Sequence, residues 1–258
     1  MNLKLTLGYS TLAERVATLV EPPVNPNWET LLVVQNPNHI DWQGSRFQAL
    51  STRKDFRFEE LNSKGVAKSR NRAIDLSQAE YLIFSDDDIT FSEQGLQEAI
   101  AYLDGNPDVA LLLGQATDES GVLRKRYPAT VTKLGSLNSA RAATYEMIIR
   151  VSDIRRLGIR FDEDFGAGAK NYLGDEYIFV VDLIRAGGKA IFAPITLAQH
   201  PTESSGSRWG SAQDRRARAV IFKRVFGALA PFVRLPFGIR RRRELGSLKN
   251  LLLFVLGR

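Results

Sequence analysis

One short stretch, residues 80–91, strongly constrains how this chain can fold: EYLIFSDDDITF runs an apolar segment directly into three aspartates. A strand buried on both faces is rich in apolar residues, whereas adjacent carboxylates repel one another and resist leaving water. Side chains two residues apart in an extended segment point the same way, so Asp86 and Asp88 share a face opposite Asp87. A divalent cation bound by Asp86 and Asp88 would offset their repulsion. Alternatively, the triplet is the acidic start of a helix that begins near Ser92.

The segments around this stretch alternate between strand and helix patterns. Short apolar runs predict strands at residues 3–9, 29–36, 55–61, 80–85 and 109–116. Helical spacing predicts helices at residues 11–20, 65–78 and 91–103, the second with Asn62 or Ser63 as its N-cap. Such alternation is typical of an α/β domain with a mostly parallel central sheet and helices on both faces. In sheets of this kind ligands bind at the carboxyl ends of strands, which is where the aspartate triplet lies.

Charge is divided unevenly along the 258 residues. Residues 215–258 contain twelve lysines and arginines against one acid, a net charge of +11. Because the whole chain carries +6, residues 1–214 carry −5. The basic character therefore belongs to the C-terminal segment, and it does not indicate that the body of the chain binds nucleic acid.

Two sequence features limit the class of protein. The chain contains no cysteine, which excludes disulfides and thiolate metal sites. Its N-terminus lacks the charged and then apolar pattern of a secretion signal, and no run approaches the roughly 18 apolar residues of a membrane-spanning helix. We therefore expect neither secretion nor a membrane span.

Further motifs flank the aspartate triplet in a characteristic order. Gly65, Arg70 and Asn71 precede it as Gly-x-x-x-x-Arg-Asn. The motifs that follow it are Phe-Asp-Glu-x-Phe at 161–165, the acidic pair at 175–176, Gly-Gly at 187–188 and Pro194. With the Asp-x-Asp of the triplet, residues 1–210 resemble the family 2 glycosyltransferases with the GT-A fold. The resemblance implies an inverting transfer of a sugar from a nucleotide-diphosphate sugar to a hydroxyl of a glycan or lipid-linked glycan, in surface polysaccharide synthesis.

The resemblance also implies a metal site. It makes Asp88 the direct ligand of Mn²⁺ or Mg²⁺ and places Asp86 nearer the ribose and the waters of the metal. His200 stands where many GT-A enzymes carry a third metal ligand, with a purely structural role as the alternative. Such a cation would stabilise the charge that develops on the departing diphosphate.

A general base is expected at the start of a helix. Gly174 provides a turn before Asp175 and Glu176, and a carboxylate there could take the proton of the acceptor hydroxyl. The family order is Glu-Asp with the second residue as base, whereas this chain has Asp-Glu. The resemblance therefore implies Glu176 by position and leaves Asp175 as the other candidate. Alternatively, the helix dipole alone favours both acids.

Several residues are candidates for binding the nucleotide-sugar donor: Tyr9, Asn36, Arg70, Asp86 and Asp87. Tyr9 would stack on the base, and Asn36 can pair with a uracil, thymine or guanine edge because its amide both donates and accepts. Arg70 would contact a phosphate or the aspartate triplet. Nearer the sugar, Gly166 allows close backbone approach and Phe165 offers a ring face.

The C-terminal segment mixes basic and apolar side chains and ends in the run LLLFVL at residues 251–256. This composition is typical of an amphipathic anchor on anionic lipid. We therefore divide the chain into a GT-A domain at 1–210 and a basic amphipathic tail at 211–258. We expect a cytoplasmic protein, peripheral on the inner face of the plasma membrane, with nucleic-acid binding, oligomer formation or a solvated tail as alternatives.

Two rival functions use related features. A metal-dependent sugar-1-phosphate nucleotidyltransferase would also hold a metal with aspartates, but it requires an N-terminal Gly-rich loop with Arg and Lys, which residues 5–16 lack. A P-loop enzyme is excluded because its phosphate-binding motif does not occur. A non-catalytic, membrane-docked nucleotide-sugar-binding protein is the remaining alternative.

Overall fold

A computed structural model describes residues 3–201 and 211–258 of the chain. The strands in these ranges are β1 (Leu5–Leu12), β2 (Trp28–Gln35), β3 (Phe56–Leu61), β4 (Tyr81–Ser85), β5 (Thr90–Phe91), β6 (Val109–Thr117), β7 (Thr132–Lys133), β8 (Met147–Arg150) and β9 (Lys189–Gln199). The α-helices are α1 (Ser45–Ser51), α2 (Val66–Leu76), α3 (Glu93–Asp104), α4 (Val151–Arg156), α5 (Asp175–Arg185), α6 (Ala212–Phe226), α7 (Ala230–Arg240), α8 (Arg242–Leu245) and α9 (Leu248–Leu256).

The strands of the described residues form one sheet in the order β3-β2-β1-β4-β8-β6-β9-β5, with β7 beside β9. Strands β3, β2, β1 and β4 are mutually parallel, and so are β6 and β9. Strand β8 lies antiparallel between β4 and β6. All eight residues of β2 are buried, as expected of a strand with both faces covered. The predicted α/β class with a mostly parallel central sheet is confirmed.

Two hydrophobic layers cover the two faces of the sheet. Neighbouring strand residues point to opposite layers: Leu32 and Ile83 belong to one, whereas Leu31 and Leu82 belong to the other. Helices α1 and α3 pack in the first layer, and α2, α4 and α5 pack in the second. Because both faces are covered, the carboxyl ends of the parallel strands are left as the edge where polar side chains gather.

The predicted helix at residues 11–20 is wrong, because β1 continues through its first two positions and a 3₁₀ helix at Ala13–Thr18 follows. The Thr11 hydroxyl donates to the carboxylate of Asp87 at 2.5 Å, and the Val20 amide donates to the Asp87 carbonyl at 2.9 Å. These contacts to a distant residue hold the segment in an extended and then tightly wound form. The spacing of apolar residues within the segment cannot reveal these long-range contacts.

The start of α2 also differs from prediction. Neither Asn62 nor Ser63 caps the helix, which begins at Val66 after Gly65, a residue with φ of 117°. The Val66 amide donates instead to the carbonyl of Ala167 at 2.9 Å. A distant loop thus supplies the acceptor that a side-chain cap normally provides, and it is brought against the start of α2.

Helix α6 packs directly on α5. Ile221 and Val225 of α6 share a buried cluster with Ile178 and Val181 of α5. Ile221 also fills the space beside Gly174, where an added Cβ would lie 2.5 Å from the Ile221 Cδ1 atom. The C-terminal helices therefore contact the rest of the protein closely, while the division into residues 1–210 and 211–258 stays a prediction.

Ion pairs and a second cluster complete the C-terminal packing. Arg224 of α6 contacts Asp162 and Asp182, each at 2.7 Å. Phe222 of α6 lies in a cluster with Phe254 of α9. In the described part of the chain, no helix combines the length and the apolar character needed to cross a membrane.

The core of the second layer provides a test of the fold. Phe179 is fully buried and its ring stacks on Phe161 with centroids 4.3 Å apart. We expect Phe179→Ala to lower the free energy of unfolding by about 3–5 kcal/mol, because it leaves a cavity. The matched control is Phe232→Ala, where the ring is 75% exposed and a change below about 0.5 kcal/mol is expected. Urea unfolding measures both, and equal losses would contradict this core.

Candidate active site

The middle aspartate of the triplet turns into the protein. Asp87 is buried, its Oδ2 accepts from the Thr11 hydroxyl at 2.5 Å, and its Oδ1 pairs with the Arg15 guanidinium at 2.5 Å. Burial raises the pKa of Asp87 above its ordinary value, although the Thr11 hydroxyl and Arg15 oppose that shift. The prediction that Asp87 binds the donor is not supported by this placement, since its oxygens tie the segment after β1 to the end of β4.

The outer two aspartates remain partly exposed, although residues 87 and 88 lie in a turn and not in the extended segment that was expected. The side chains of Asp86 and Asp88 are 37% and 42% exposed. Asp86 Oδ1 accepts from Arg70 at 3.0 Å, and Asp88 Oδ2 lies 3.7 Å from Arg15. Among the described residues, the buried Oδ1 of Asp88 has no hydrogen-bond partner. Two arginines thus offset much of the charge for which the sequence predicted a cation.

Arg70 connects the triplet to the start of α5. Its guanidinium is buried and forks between Asp86 at 3.0 Å and Asp175 at 2.5 Å, with Glu176 Oε1 at 4.0 Å. The same group lies 5.7 Å from the centre of the Phe161 ring. Burial opposes the charge of Arg70, but the three carboxylates together raise its pKa. The arrangement is a buried cation held by carboxylates from two different elements.

The two acids at the start of α5 have different environments. Gly174, with φ of 96°, makes the left-handed turn that begins the helix. Asp175 is buried and bonded to Arg70, whereas the Glu176 side chain keeps 24% exposure. Burial, followed by the negative charge of Asp175, raises the pKa of Glu176 to about 8, and Arg70 opposes that shift. Glu176 therefore has the proton affinity of a base that works near neutral pH.

Gly166 makes room for Asp175 and Val66. At φ of 95°, an added Cβ would lie 2.8 Å from Cγ of Asp175 and 2.9 Å from Val66. Phe165, expected to offer a ring face, is instead buried against Ile178 and its neighbours. The loop between α4 and α5 thus packs against Asp175.

His200 lies at the end of β9, beside a tyrosine that the sequence did not single out. Its ring centre is 4.9 Å from that of Tyr145, and its Nδ1 lies 2.6 Å from the Pro201 carbonyl oxygen. Burial raises the pKa of Tyr145, and the negative charges of Glu146, Asp86 and Glu176 add to that shift. Tyr145 therefore lies beside His200 and is subject to the negative charge of the candidate site.

The predicted metal ligands fit a cation in part. Carboxylate oxygens suit Mn²⁺ and Mg²⁺, and the unpartnered oxygen of Asp88 is a donor of that kind. Across residues 3–201 and 211–258, however, no three His, Asp or Glu side chains are grouped as a metal site. The assignment of Asp86, Asp88 and His200 as ligands therefore stays a prediction.

Tyr9 is not placed to stack on a base. The side chain is fully buried and packs edge-on against Phe91, with ring centres 6.1 Å apart. Tyr9 shares the core layer with Leu7 and Leu5, the residues two and four positions before it on β1. The strand repeat therefore directs this ring into the core.

Asn36 is likewise committed within the protein. Its Nδ2 donates to the Ile40 carbonyl at 2.9 Å and to Glu60 at 2.8 Å, while its Oδ1 accepts from the Ile40 amide at 3.0 Å. Glu60 also accepts from the indole of Trp42 at 3.0 Å. These bonds shape the loop after β2, and they occupy the amide that was predicted to read a base edge.

The match to a known family identifies the protein class. The model of the family "Glycosyl transferase family 2" matches residues 9–159, more than half of the chain. The chain belongs to this family. The resemblance seen in the sequence is thereby confirmed. Membership favours glycosyl transfer over the nucleotidyltransferase and binding-protein alternatives. No curated protein gives a significant match to the chain.

Solved structures agree in fold. TarS from S. aureus superposes with a TM-score of 0.60 at 17% identity, covering 96% of this chain and 45% of TarS. S. aureus TarS 1-349 in complex with UDP-GlcNAc gives a TM-score of 0.60 at 15% identity, covering 98% of this chain and 82% of that one. The complex with UDP gives 0.57 at 15% identity, covering 98% and 81%. The GT-A fold is thus confirmed. This chain spans less than half of the TarS chain in the first of these superpositions.

The role of Arg70 can be tested through stability. Arg70→Gln leaves Asp86 and Asp175 without their buried partner, so we expect a loss of about 3–5 kcal/mol in the free energy of unfolding. The control is Arg72→Gln on the same helix, where the pair with Glu59 is partly exposed and worth less than about 1 kcal/mol. Urea unfolding distinguishes the two variants. Equal, small losses would show that Arg70 does not hold the site together.

Proposed function

We propose that this enzyme transfers a sugar from a nucleotide-diphosphate sugar to a hydroxyl of a glycan or lipid-linked glycan acceptor, with inversion at the anomeric carbon. The observation that carries the proposal is Glu176, partly exposed at the start of α5 and raised in pKa beside a carboxylate that is already paired. Synthesis of a surface polysaccharide is the process in which we expect this transfer to serve.

Glu176 is the proposed general base. It accepts the proton of the acceptor hydroxyl as the hydroxyl oxygen attacks the anomeric carbon. The bond from that carbon to the diphosphate oxygen breaks, and the nucleoside diphosphate leaves with the bonding electrons. Asp175 is unsuited to the role because Arg70 occupies its carboxylate. Direct attack of the hydroxyl on the face opposite the leaving group gives inversion, which is the outcome that the family resemblance implies.

Asp86 and Asp88 are the residues that would hold a divalent cation, Mn²⁺ or Mg²⁺. The unpartnered Oδ1 of Asp88 and the partial exposure of both carboxylates support this. When bound, the cation supplies positive charge that stabilises the departing diphosphate. His200, whose ring centre lies 4.9 Å from that of Tyr145, is the proposed third ligand.

We propose uridine as the nucleotide of the donor. The support is the likeness in fold to S. aureus TarS, whose structures were solved with UDP and with UDP-GlcNAc. Arg15, about half exposed beside Asp87 and Asp88, is a cation that can contact the diphosphate. With Tyr9 buried and Asn36 committed, other groups must contact the base.

The pH dependence of Glu176→Gln tests the proposed base. In the unmodified enzyme the transfer rate should rise with pH as Glu176 loses its proton, and level off above about pH 8. Glu176→Gln should lower the rate by a factor of about 100 to 10,000 and remove this rise. Rates measured across pH with a UDP-sugar donor check both expectations. Full activity in the variant would sink the assignment.

Glu176 also makes the stability of the fold depend on pH, and stability should fall over the pH range in which the transfer rate rises. A carboxyl with a raised folded-state pKa binds its proton more tightly when folded, so stability falls as pH rises toward that pKa. Glu176→Gln removes this contribution. As pH rises toward about 8, the free energy of unfolding of the variant should therefore fall less steeply than that of the unmodified enzyme. The matched control is Glu93→Gln, an exposed first-turn glutamate of α3, which should leave both profiles unchanged.

Thermal unfolding with ligands tests the donor and the metal. A ligand that binds only the folded state stabilises it by RT ln(1 + [L]/Kd), about 2.7 kcal/mol at about 100 Kd. We expect UDP with Mn²⁺ or Mg²⁺ to raise the midpoint more than UDP with EDTA. Asp88→Asn should remove the metal-dependent part, whereas Asp41→Asn, an exposed aspartate in the loop after β2, should keep it. A shift with GDP or dTDP but not UDP would overturn the nucleotide assignment.

A further inference from the structure

Helices α7 and α9 each turn an apolar row toward solvent. The exposed residues recur three or four positions apart on each helix, and all are between 46% and 80% exposed: Phe232, Leu235 and Ile239 on α7, and Leu248, Leu252 and Leu256 on α9. We call these six side chains the outer face. Exposed large apolar side chains that gather in rows mark a surface that meets another apolar phase.

The opposite sides of the same helices are already packed. Gly238 of α7 lets α9 approach closely, since an added Cβ would lie 2.5 Å from Cδ1 of Leu251. Phe237 and Phe254 pack with Phe222 of α6 in one cluster. Arg234 adds a hydrogen bond across the pair, from Nη1 to the Val255 carbonyl at 2.9 Å. The orientation of both helices is therefore fixed, and the outer face is left outward.

Basic side chains flank this face. Arg240, Arg242 and Arg243 are exposed and lie between the two apolar rows along the chain, and the exposed Lys249 follows Leu248 in the second row. Within residues 3–201 and 211–258, no carboxylate forms an ion pair with any of these four. The neighbouring Arg241 does pair with Glu244 at 2.8 Å, so the local acid is used. The outer face thus combines apolar side chains with positive charge that exceeds the local negative charge.

We propose that the outer face docks this enzyme on the anionic surface of a lipid bilayer. The apolar residues enter the boundary between headgroups and acyl chains, and the arginines and lysine meet lipid phosphates. A second copy of the chain fits less well, because it would bring two sets of positive charges together. The proposal goes beyond glycosyl transfer and does not depend on it.

Flotation with vesicles tests the docking, using the full chain. The vesicles are phosphatidylcholine alone, or phosphatidylcholine with about one third phosphatidylglycerol. We expect the protein to float with the anionic vesicles and to remain behind with the neutral ones. Raising the salt concentration should weaken the binding, because salt screens exposed charges.

Two variants separate the contributions of apolar area and charge. The first variant carries Phe232→Ser, Leu248→Ser and Leu252→Ser. These changes remove apolar side chains that are exposed, so folding should be retained. The second variant carries Arg240→Gln, Arg242→Gln and Arg243→Gln. Its binding to anionic vesicles should be about a hundredfold weaker. Thermal unfolding of each variant checks that the fold is kept.

The control carries Val24→Ser and Lys54→Gln, an exposed apolar residue and an exposed lysine outside the C-terminal helices. It should bind as the unmodified chain does. Equal binding to neutral and anionic vesicles, no binding to either, or unchanged binding of the arginine variant would each overturn the proposal. Self-association that the serine variant abolishes, without vesicle binding, would assign the outer face to a second copy. Every readout is independent of transfer activity, so failure here leaves the proposed function standing.

Discussion

The buried guanidinium of Arg70 is the interaction on which the site depends. A charge removed from water costs several kcal/mol unless it is well paired, and here Asp86 and Asp175 provide the pairing. These two carboxylates come from the loop after β4 and the start of α5, which lie far apart in the sequence. The same bonds that offset the desolvation of Arg70 therefore fix the distance between the aspartate triplet and Glu176.

Much of the sheet could be predicted because a strand covered on both faces leaves a strong local signal. Apolar runs located β1 to β4 and β6, and the aspartates marked the carboxyl end of β4. The segment after β1 was misjudged because its shape depends on Asp87, more than 60 residues away. Tyr9 could have been assigned correctly, since it continues the two-residue repeat of Leu5 and Leu7 into the core.

The sequence pointed to the acidic residues of the candidate site more completely than to its arginines. The order of motifs pointed to Asp86, Asp88 and Glu176, and the structure places Asp86 and Glu176 near the Arg70 guanidinium and Asp88 near Arg15. The contact of Arg70 with the triplet was expected, but its bond to Asp175 was missed because a pair that spans 105 positions leaves no local pattern. Arg15 is such a case, since its segment was expected to be helical and it instead reaches Asp87.

The contact between Ile221 and Gly174 has a practical consequence for handling this protein. Trimming a basic, apolar C-terminus is a common way to improve expression and solubility. Here a truncation before α6 would strip Ile221 and Val225 from α5 and expose the side chains they cover. The turn that presents Glu176 would lose its support at the same time. The enzyme should therefore be purified and assayed with its C-terminal helices in place.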